Sequence, residues 1–259
     1  MALTVRAIPC LSDNYAWAVT DAATGTVAIC DPGEARPVLA DLPEGRCDFI
    51  LLTHHHQDHI GGVAELVAAT GAKVVGARAD AYRLPPLDHA LSPGDGIAIG
   101  SARAVVIDTP GHTRGHIAFH LQSPRPQGPG QKAGQKPGQK PGQDILLCGD
   151  TLFSLGCGRL LEGTAEEMFT SLQRLRILPP ETLVCCGHEY TLSNARFALT
   201  VEPDNKALQA RAQQAREQRG RGEPTVPTRL EEEMAANPFL RAPDVATLAK
   251  LRKAKDEFR

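Results

Sequence analysis

The sequence predicts a mixed α/β fold followed by a helical carboxyl-terminal region. In the first half, short apolar runs that end at turn residues alternate with a helical pattern, which is typical of strands and helices in one layered domain. After His188 the sequence becomes polar and helix-prone. At 259 residues the chain can hold one sizeable domain, or one domain with a smaller appendage.

Strands are predicted where an apolar run stops at polar or turn residues. Residues 27–30 end at Asp31-Pro32-Gly33, and residues 49–52 lead directly into a group of histidines. A helix is predicted over residues 60–70, where Gly71 would end it. Three further runs predict strands: residues 73–76, 104–107 and 145–148.

Residues 124–143 differ in kind from the rest of the chain. They repeat a Gly-Gln-Lys pattern and contain almost no apolar side chain that folding could bury. We therefore predict a disordered insertion, tolerated as an expanded hairpin loop between the run ending near Leu121 and the strand at 145–148.

The carboxyl-terminal region is predicted to be helical and mildly basic. Residues 205–219 and 245–258 have helical patterns, and residues 222–227 separate them with Gly and Pro. From Lys206 to the end there are 12 Lys/Arg and 8 Asp/Glu, a difference of +4, whereas the whole chain has a formal charge of −2. Such a small net charge gives no electrostatic argument for binding nucleic acid or a membrane surface.

The cysteines and the amino terminus indicate in which cellular compartment the protein is expected. The seven cysteines are scattered, form no CxxC pair and mostly have apolar neighbours, which favours reduced, buried thiols over a disulfide framework. The first residues lack a signal-peptide pattern, and the chain has no apolar run of about 18 residues. We therefore expect a cytoplasmic protein that does not enter a membrane.

The most informative segment is Thr53-His54-His55-His56-Gln57-Asp58-His59, between an apolar strand and a helix. In a locally extended loop, His54 and His56 point the same way and His55 is turned away. Asp58 and His59 lie at the helix start, where they can face a second metal. Imidazole and carboxylate suit zinc, iron or manganese, so the segment predicts a metal site at the carboxyl end of a strand.

Three more candidate ligands follow apolar runs and glycines. His112 follows Thr109-Pro110-Gly111, Asp150 follows the strand at 145–148 and Gly149, and His188 follows Gly187. Each alone is an ordinary polar residue at a strand end. Together with the histidine segment they provide enough donors for two metal ions.

With these motifs the sequence resembles the metallo-β-lactamase superfamily and, within it, the hydroxyacylglutathione hydrolases (glyoxalase II). The resemblance covers the chain except residues 124–143. It rests on the histidine segment, on residues 11–15 (LSDNY), 109–113 (TPGHT), 149–153 (GDTLF) and 156–159 (GCGR), and on residues 187–191 (GHEYT), 222–227 (GEPTVP), 237–241 (NPFLR) and 255–258 (KDEF). The histidine segment is typical of the superfamily, whereas the carboxyl-terminal motifs are specific to the hydrolases.

The resemblance implies an αββα sandwich of two mixed β-sheets flanked by helices, with a catalytic domain over residues 1–188 and a helical glutathione-binding domain over 189–259. It implies two divalent ions, of which zinc is the expected one and iron or manganese are alternatives. One ion would be held by His54, His56 and His112. The other would be held by Asp58, His59 and His188, with Asp150 between them. Asp31 is expected to orient a ligand or the nearby backbone.

The implied activity is the hydrolysis of S-D-lactoylglutathione to glutathione and D-lactate, the second step of methylglyoxal detoxification. A hydroxide held between the two ions, positioned by Asp58 and Asp150, would attack the thioester carbonyl. Because a thiol has a pKa of about 8.5, the thiolate leaves with little help from an acid. No serine or cysteine nucleophile is needed, so Cys157 and Cys185 are expected to be packing residues.

For the substrate, the resemblance implies contacts from the following residues: Arg159, Leu160, Leu161, His188, Glu189, Tyr190, Arg252 and Lys255. Arg252 and Lys255 stand at i and i+3 on a predicted helix, so both cations share one face and suit a carboxylate. Leu161 departs from the pattern because some family members have a tyrosine there. A leucine cannot donate that hydrogen bond, so the contact is missing or replaced, although the backbone of this segment can still contribute.

The alternatives use the same fold. A glutathione persulfide dioxygenase with one iron would keep a similar histidine segment, but it would not need the second set of ligands. A nuclease would need a basic stripe or arm, and the repeat supplies only three lysines. A β-lactamase is disfavoured because no export signal is visible. The full ligand set and the helical carboxyl-terminal region favour the hydrolase, which we expect to be a monomer acting on a small glutathione thioester.

Overall fold

The computed structural model describes residues 3–123 and 142–258. The predicted disorder of residues 124–143 falls on a segment of which 124–141 lie outside the described residues, so it stays a prediction. The strands are β1 (Leu3–Cys10), β2 (Asn14–Asp21), β3 (Thr26–Cys30), β4 (Phe49–Leu51), β5 (Lys73–Ala77), β6 (His89–Leu91), β7 (Gly96–Ile99), β8 (Ala102–Asp108), β9 (Ile117–Gln122), β10 (Ile145–Gly149), β11 (Leu152–Phe153), β12 (Gly156–Cys157), β13 (Leu183–Cys186) and β14 (Thr228–Arg229). The helices are α1 (Ala35–Asp41), α2 (Gln57–Ile60), α3 (Val63–Thr70), α4 (Ala165–Arg176), α5 (Thr191–Val201), α6 (Lys206–Gly220), α7 (Leu230–Ala236), α8 (Pro238–Arg241) and α9 (Val245–Glu257).

Two mixed sheets form the centre of the fold. The first has the order β1-β2-β3-β4-β5-β6, antiparallel over its first three strands and parallel from β3 to β6. The second has the order β14-β13-β10-β9-β8-β7, in which only β10 and β13 are parallel. β9 and β10 are antiparallel neighbours, so residues 123–144 connect a hairpin as expected.

The burial of alternating residues explains why the sheets face each other. In β2, Trp17 and Val19 belong to the core between the sheets, whereas Ala16 and Ala18 face the outer layer with Val38 of α1 and Leu66 of α3. On the second sheet, Met168 and Leu172 of α4 continue the main core. Helices therefore cover both outer faces, and the predicted αββα sandwich is confirmed.

The predicted strands at 27–30, 49–52, 73–76, 104–107 and 145–148 are confirmed with shifts of one or two residues at their ends. The helix predicted over 60–70 is confirmed as α3 over 63–70, but its predicted start is wrong by three residues, because a turn at Gly61 and Gly62 separates α3 from α2. A side chain at Gly62 would collide with the backbone of Glu34 and Ala35. Gly71 ends α3 with φ +70°, as predicted.

The carboxyl-terminal helices begin at side-chain caps. Asn205 accepts a hydrogen bond from the backbone of Leu208 at the start of α6, and Asp244 accepts one from Thr247 at the start of α9. The two helices predicted in this region are thus confirmed. Among the described residues, the helices are all too short or too polar to cross a membrane.

A buried carboxylate joins the carboxyl-terminal region to the hairpin of β11 and β12. Glu233 is fully buried, and its Oε2 accepts hydrogen bonds from the backbone N–H of Leu155 (2.8 Å) and from Asn237 (3.1 Å). Its Oε1 accepts one from Thr228 (2.9 Å). Burial raises the pKa of this carboxyl, against the effect of these donors. The group therefore costs desolvation but fixes three segments.

Glu233→Ala should lower the free energy of unfolding by roughly 3–5 kcal/mol, because it leaves the buried donors of Leu155 and Thr228 without their acceptor. Glu233→Gln is the matched control, since the amide keeps one acceptor oxygen and the side-chain volume. It should lose much less, as measured by denaturant unfolding. Equal losses in the two variants would mean that volume, rather than hydrogen bonding, accounts for the effect.

Candidate active site

The predicted ligands lie where four strands end at one edge of the sandwich. β4 leads to His54 and His56, and β8 leads to His112. Asp150 follows β10, and His188 follows β13. Two backbone hydrogen bonds join the sheets at this edge, from Ile117 N to Thr53 O (2.9 Å) and from Tyr15 N to Gly187 O (2.8 Å).

The first group of donors contains three histidines. Nδ1 of His56 lies 3.1 Å from Nε2 of His54 and 3.1 Å from Nε2 of His112. Nitrogens bonded at about 2.0–2.1 Å to one tetrahedral ion lie roughly 3.3 Å apart, close to this spacing. The three rings therefore present their nitrogens to a common point.

The second group combines a carboxylate with two imidazoles. Nε2 of His59 lies 3.3 Å from Nε2 of His188. Oδ2 of Asp58 lies 3.6 Å from the first of these nitrogens and 3.4 Å from the second. As the sequence predicted, Asp58 and His59 occupy the short helix α2.

Asp150 lies between the two groups. Its Oδ1 is 3.4 Å from Nε2 of His59, and its Oδ2 is 3.5 Å from Nε2 of His112 and 3.3 Å from Nε2 of His188. Within the described chain, Oδ1 is buried without a hydrogen-bond donor. Gly187 permits this approach, because a side chain there would collide with the Asp150 carboxylate and the His59 ring.

The electrostatics of the two groups suit bound cations. Burial and neighbouring histidines lower the pKa of His54, which keeps its ring neutral. Burial alone would lower the pKa of His59, but the carboxylates of Asp150 and Asp31 raise it well above the usual value. Burial would likewise raise the pKa of Asp150, but His59 and His188 hold it well below. The second group thus attracts positive charge, and together the donors form a divalent-metal site.

In three of the candidate ligand histidines, the other ring nitrogen contacts an oxygen. Nδ1 of His59 contacts Asp31 (3.1 Å) and Nδ1 of His188 contacts Asp13 (2.9 Å), while Nδ1 of His112 contacts the carbonyl of Arg159 (2.9 Å). Such contacts fix the tautomer and the orientation of a metal-binding imidazole. The expected orienting contact of Asp31 is thus present, and the same carboxylate also binds the backbone and hydroxyl of Thr53.

Sequence reasoning missed two neighbours of these ligands. Asn14 donates a hydrogen bond to Oδ2 of Asp58 (2.9 Å). It lies in a motif that supported the family resemblance, but nothing local connects it with a residue 44 positions away. His116 is fully buried beneath the centre, and burial lowers the pKa of its ring well below the usual value. The one local sequence feature that indicated a buried position for His116 was its place directly before the apolar run of β9.

His55 is turned away from the other histidines, as the local alternation predicted. Its Nδ1 lies 3.2 Å from Asp80, and its Nε2 lies 3.6 Å from Glu162. Arg83 pairs with both of these carboxylates. The network links the histidine segment to the loop that supplies the Arg159 carbonyl to His112.

A cavity of about 410 Å³ opens from the donor groups toward the carboxyl-terminal helix. His112 and Asp150 line one end, and Arg252 and Lys255 of α9 line the other. Tyr190 stacks on His188 with 4.6 Å between ring centroids and an interplanar angle of 6°. The cavity is wide enough for a small molecule that reaches from the metal-binding residues to a cluster of cations.

The two cations of α9 are held in different ways. Arg252 is 6% exposed, donates to the carbonyl of Cys157 (2.7 Å) and pairs with Asp256 (2.9 Å). Its Nε is buried with no acceptor among the described residues. Lys255 donates to Ser193 (3.1 Å), and burial together with the nearby charge of Arg252 lowers its pKa to about 8. Both side chains line the cavity, so an anion bound at this end would lie beside positive charge.

The remaining predicted substrate residues are placed less uniformly. Arg159 lines the cavity, Leu160 packs against the main core, and Leu161 is 59% exposed. Glu189 lies beside a neighbouring cavity, where its carboxylate accepts hydrogen bonds from Tyr15 (3.0 Å) and Thr225. Its side chain thus joins segments of the fold.

Cys157 and Cys185 are buried free thiols. Burial raises the pKa of Cys157 to about 11 and that of Cys185 well above its usual value. A thiol with a raised pKa is a poor nucleophile, so the expectation that these cysteines are packing residues agrees with their surroundings.

Two family models match separate parts of the chain. Residues 15–125 match the metallo-beta-lactamase superfamily. Residues 189–258 match the hydroxyacylglutathione hydrolase C-terminus. Among solved structures, ETHE1 from Myxococcus xanthus covers 98% of this chain and 90% of its own with a TM-score of 0.67. At 24% identity this likeness concerns the fold alone.

Curated relatives match the chain along its full length. The hydroxyacylglutathione hydrolase of Fuscovulum blasticum is 50% identical, with 100% of both chains covered. That of Rhodobacter capsulatus is 51% identical over 97% of this chain and 91% of its own. That of Methylococcus capsulatus is 45% identical, with 99% of each chain covered. The chain therefore belongs to the hydroxyacylglutathione hydrolase family, within the metallo-β-lactamase superfamily.

Proposed function

We propose that this protein hydrolyses S-D-lactoylglutathione to glutathione and D-lactate, the second step of methylglyoxal detoxification. The observation that carries the proposal is the cavity that joins His112 and Asp150 to Arg252 and Lys255. A thioester with carboxylates at its far end matches both ends of such a cavity. The full-length identity to relatives of this name supports the same activity.

We propose two divalent ions, with zinc as the expected one and iron or manganese as alternatives. His54, His56 and His112 would hold one, and Asp58, His59 and His188 would hold the other, with Asp150 shared. Such ions lower the pKa of a shared water and polarise a carbonyl oxygen. The proximity of the donor atoms within each group supports this assignment.

The catalytic task of Asp58 and Asp150 is to orient the attacking water. Asn14 holds one carboxylate oxygen of Asp58, and the Asp58 side chain is 40% exposed, so it can contact water. Asp150 faces both histidine groups through its two oxygens. A thiolate whose parent thiol has a pKa of about 8.5 is a good leaving group, so these residues need no acid partner.

Substrate binding is assigned to Tyr190, Arg159, Arg252 and Lys255. The guanidinium of Arg252 and the ammonium of Lys255, which line the far end of the cavity, would pair with a carboxylate of the glutathione part. Tyr190, stacked on His188, gives the cavity a flat wall beside the reacting end. Leu161 is exposed and has no hydroxyl to donate, so the contact that a tyrosine would make there is missing or is replaced by the backbone of residues 159–161.

The second candidate, a glutathione persulfide dioxygenase, needs one iron. The donor atoms of Asp58, His59 and His188, like those of the first group, all lie within 4.8 Å of one another, and the presence of this second set favours the two-ion hydrolase. The likeness to ETHE1 concerns the fold alone.

We also propose a catalytic domain over residues 1–188 and a helical glutathione-binding domain over 189–259, in a monomer that works in the cytoplasm. The buried free cysteines are compatible with a reducing compartment. Size measurement in solution and fractionation of the cells test the last two points.

Asp150→Ala should lower kcat for S-D-lactoylglutathione by at least about 100-fold, because loss of a contact partner of a ligand already costs 10–100-fold in such centres. Thioester loss and metal content per chain are the measurements. Asp204→Ala, at an exposed position, is the matched control and should behave as wild type. Full activity of the Asp150 variant would exclude the two-ion mechanism.

One iron per chain with oxygen uptake on glutathione persulfide would establish the dioxygenase instead.

Binding of the substrate should weaken as the pH rises through about 8. Lys255, with a pKa lowered to about 8, is charged below that pH and neutral above it. Losing a charged hydrogen bond to a carboxylate should raise KM about tenfold between pH 7 and 9, with little change in kcat. Lys255→Arg stays charged over this range and should have a flatter KM profile.

Because both enzymes meet the same substrate, any titration of glutathione itself affects them equally. The difference between the two KM profiles isolates Lys255. Identical profiles would remove this residue from carboxylate binding.

A further inference from the structure

His116 is a buried histidine that neither donor group uses. It is fully buried, four residues after His112. Its ring stacks on that of His54, with 4.8 Å between centroids and an interplanar angle of 24°. Both of its nitrogens are occupied by partners outside the donor groups, and each partner has a defined direction.

On one side, Nε2 of His116 faces the backbone of Asp150. The backbone N–H of Asp150 points at this nitrogen at 3.1 Å. A backbone N–H can only donate, so Nε2 accepts the hydrogen bond and carries no proton. The peptide that leads into the Asp150 side chain is thus held by an imidazole lone pair.

On the other side, Nδ1 therefore carries the proton of the neutral ring. It lies 2.8 Å from Oγ1 of Thr109 and 3.2 Å from Oγ1 of Thr151, and either hydroxyl oxygen can accept from it. These two threonines fix the tautomer that leaves Nε2 free to accept. The hydrogen-bond partners of His116 therefore determine which of its nitrogens carries the proton. Contacts to the second nitrogen of a metal-binding histidine determine its tautomer in the same way.

The backbone before Asp150 has little freedom to move away from this ring. Gly149 has φ +46°, a conformation that favours glycine. A side chain there would collide with Thr53 and crowd Nε2 of His116. Thr53 in turn contacts Nδ1 of His54 at 3.0 Å. The ring of His116 therefore packs against the ring of His54 and accepts a hydrogen bond from the backbone of Asp150.

From these contacts we infer that His116 is a positioning residue for Asp150 and His54. As a hydrogen-bond acceptor it fixes the peptide of Asp150, so that the carboxylate reaches both histidine groups, and as a flat ring it supports His54. It touches neither substrate nor ion. The inference rests on the proposed function for its catalytic part, whereas its part in metal retention stands on the donor groups alone.

The test compares His116→Gln with His116→Leu. Both variants lose the ring and its stacking on His54, but the glutamine oxygen can accept from the Asp150 N–H near the position of Nε2 and leucine cannot. Three quantities are measured: zinc retained per chain against graded chelator, the melting temperature of the metal-free protein, and kcat and KM for S-D-lactoylglutathione.

The leucine variant should lose zinc at a chelator concentration roughly 10–100-fold lower than wild type. Its kcat should fall with KM nearly unchanged, because the cations of α9 are untouched. The glutamine variant should recover zinc retention to within about threefold of wild type. Wild-type retention in both variants would overturn the inference. So would equal loss in both, together with equal lowering of the metal-free melting temperature, since that result describes packing alone.

A double variant tests the same inference if His116→Leu does not fold. The double variant Thr109→Val and Thr151→Val removes both hydroxyl acceptors of Nδ1 and leaves the ring in place. It should release the tautomer and weaken zinc retention at least about threefold, and unchanged retention would overturn the inference. If wild-type protein binds zinc but does not hydrolyse the thioester, the proposed function fails while the zinc measurements still decide the role of His116.

Discussion

A carboxylate removed from water is stable only where positive charge compensates it, and Asp150 imposes this constraint on every element around it. It is 6% exposed and lies within 3.5 Å of ligand nitrogens from both histidine groups. Segments that follow the strand ends at this edge supply those nitrogens, His59 from the short helix α2. The glycine at 187 gives them room by leaving out a side chain. The residues at this edge of the sheets are thus arranged so that positive charge can compensate the buried carboxylate of Asp150.

The reacting end and the anion-binding end of the cavity come from different parts of the chain. Strand ends supply the donor groups, whereas the last helix, α9, supplies Arg252 and Lys255. The hairpin of β11 and β12 connects the two, because the carbonyl of Cys157 holds Arg252 and the buried Glu233 holds Leu155. The hairpin thus holds Arg252 at the cavity, whereas Lys255 is held by Ser193 of α5.

Particular residues indicate where reasoning from sequence succeeds. The strands before the histidine segment and before Asp150 were predictable, since apolar runs that stop at turn residues have few other solutions. The outward direction of His55 followed from local alternation, but its partners Asp80 and Glu162 did not. The break between α2 and α3 was missed, because the cause is contact of Gly62 with a segment near residue 34. Glu189 shows the same limit, as its carboxylate is engaged by the distant Tyr15 and Thr225.

The sequence by itself determined the kinds of donor atoms, their positions after strands, the helical carboxyl-terminal region and the family. Each of these features depends on residue types and on their spacing over a few positions of the chain. Only the tertiary structure decided which nitrogens meet, how His116 reaches the peptide of Asp150, and how burial lowers the pKa of Lys255. Those properties depend on distances between remote segments and on exclusion of water. Neither exists until the two sheets and the last helix have packed together.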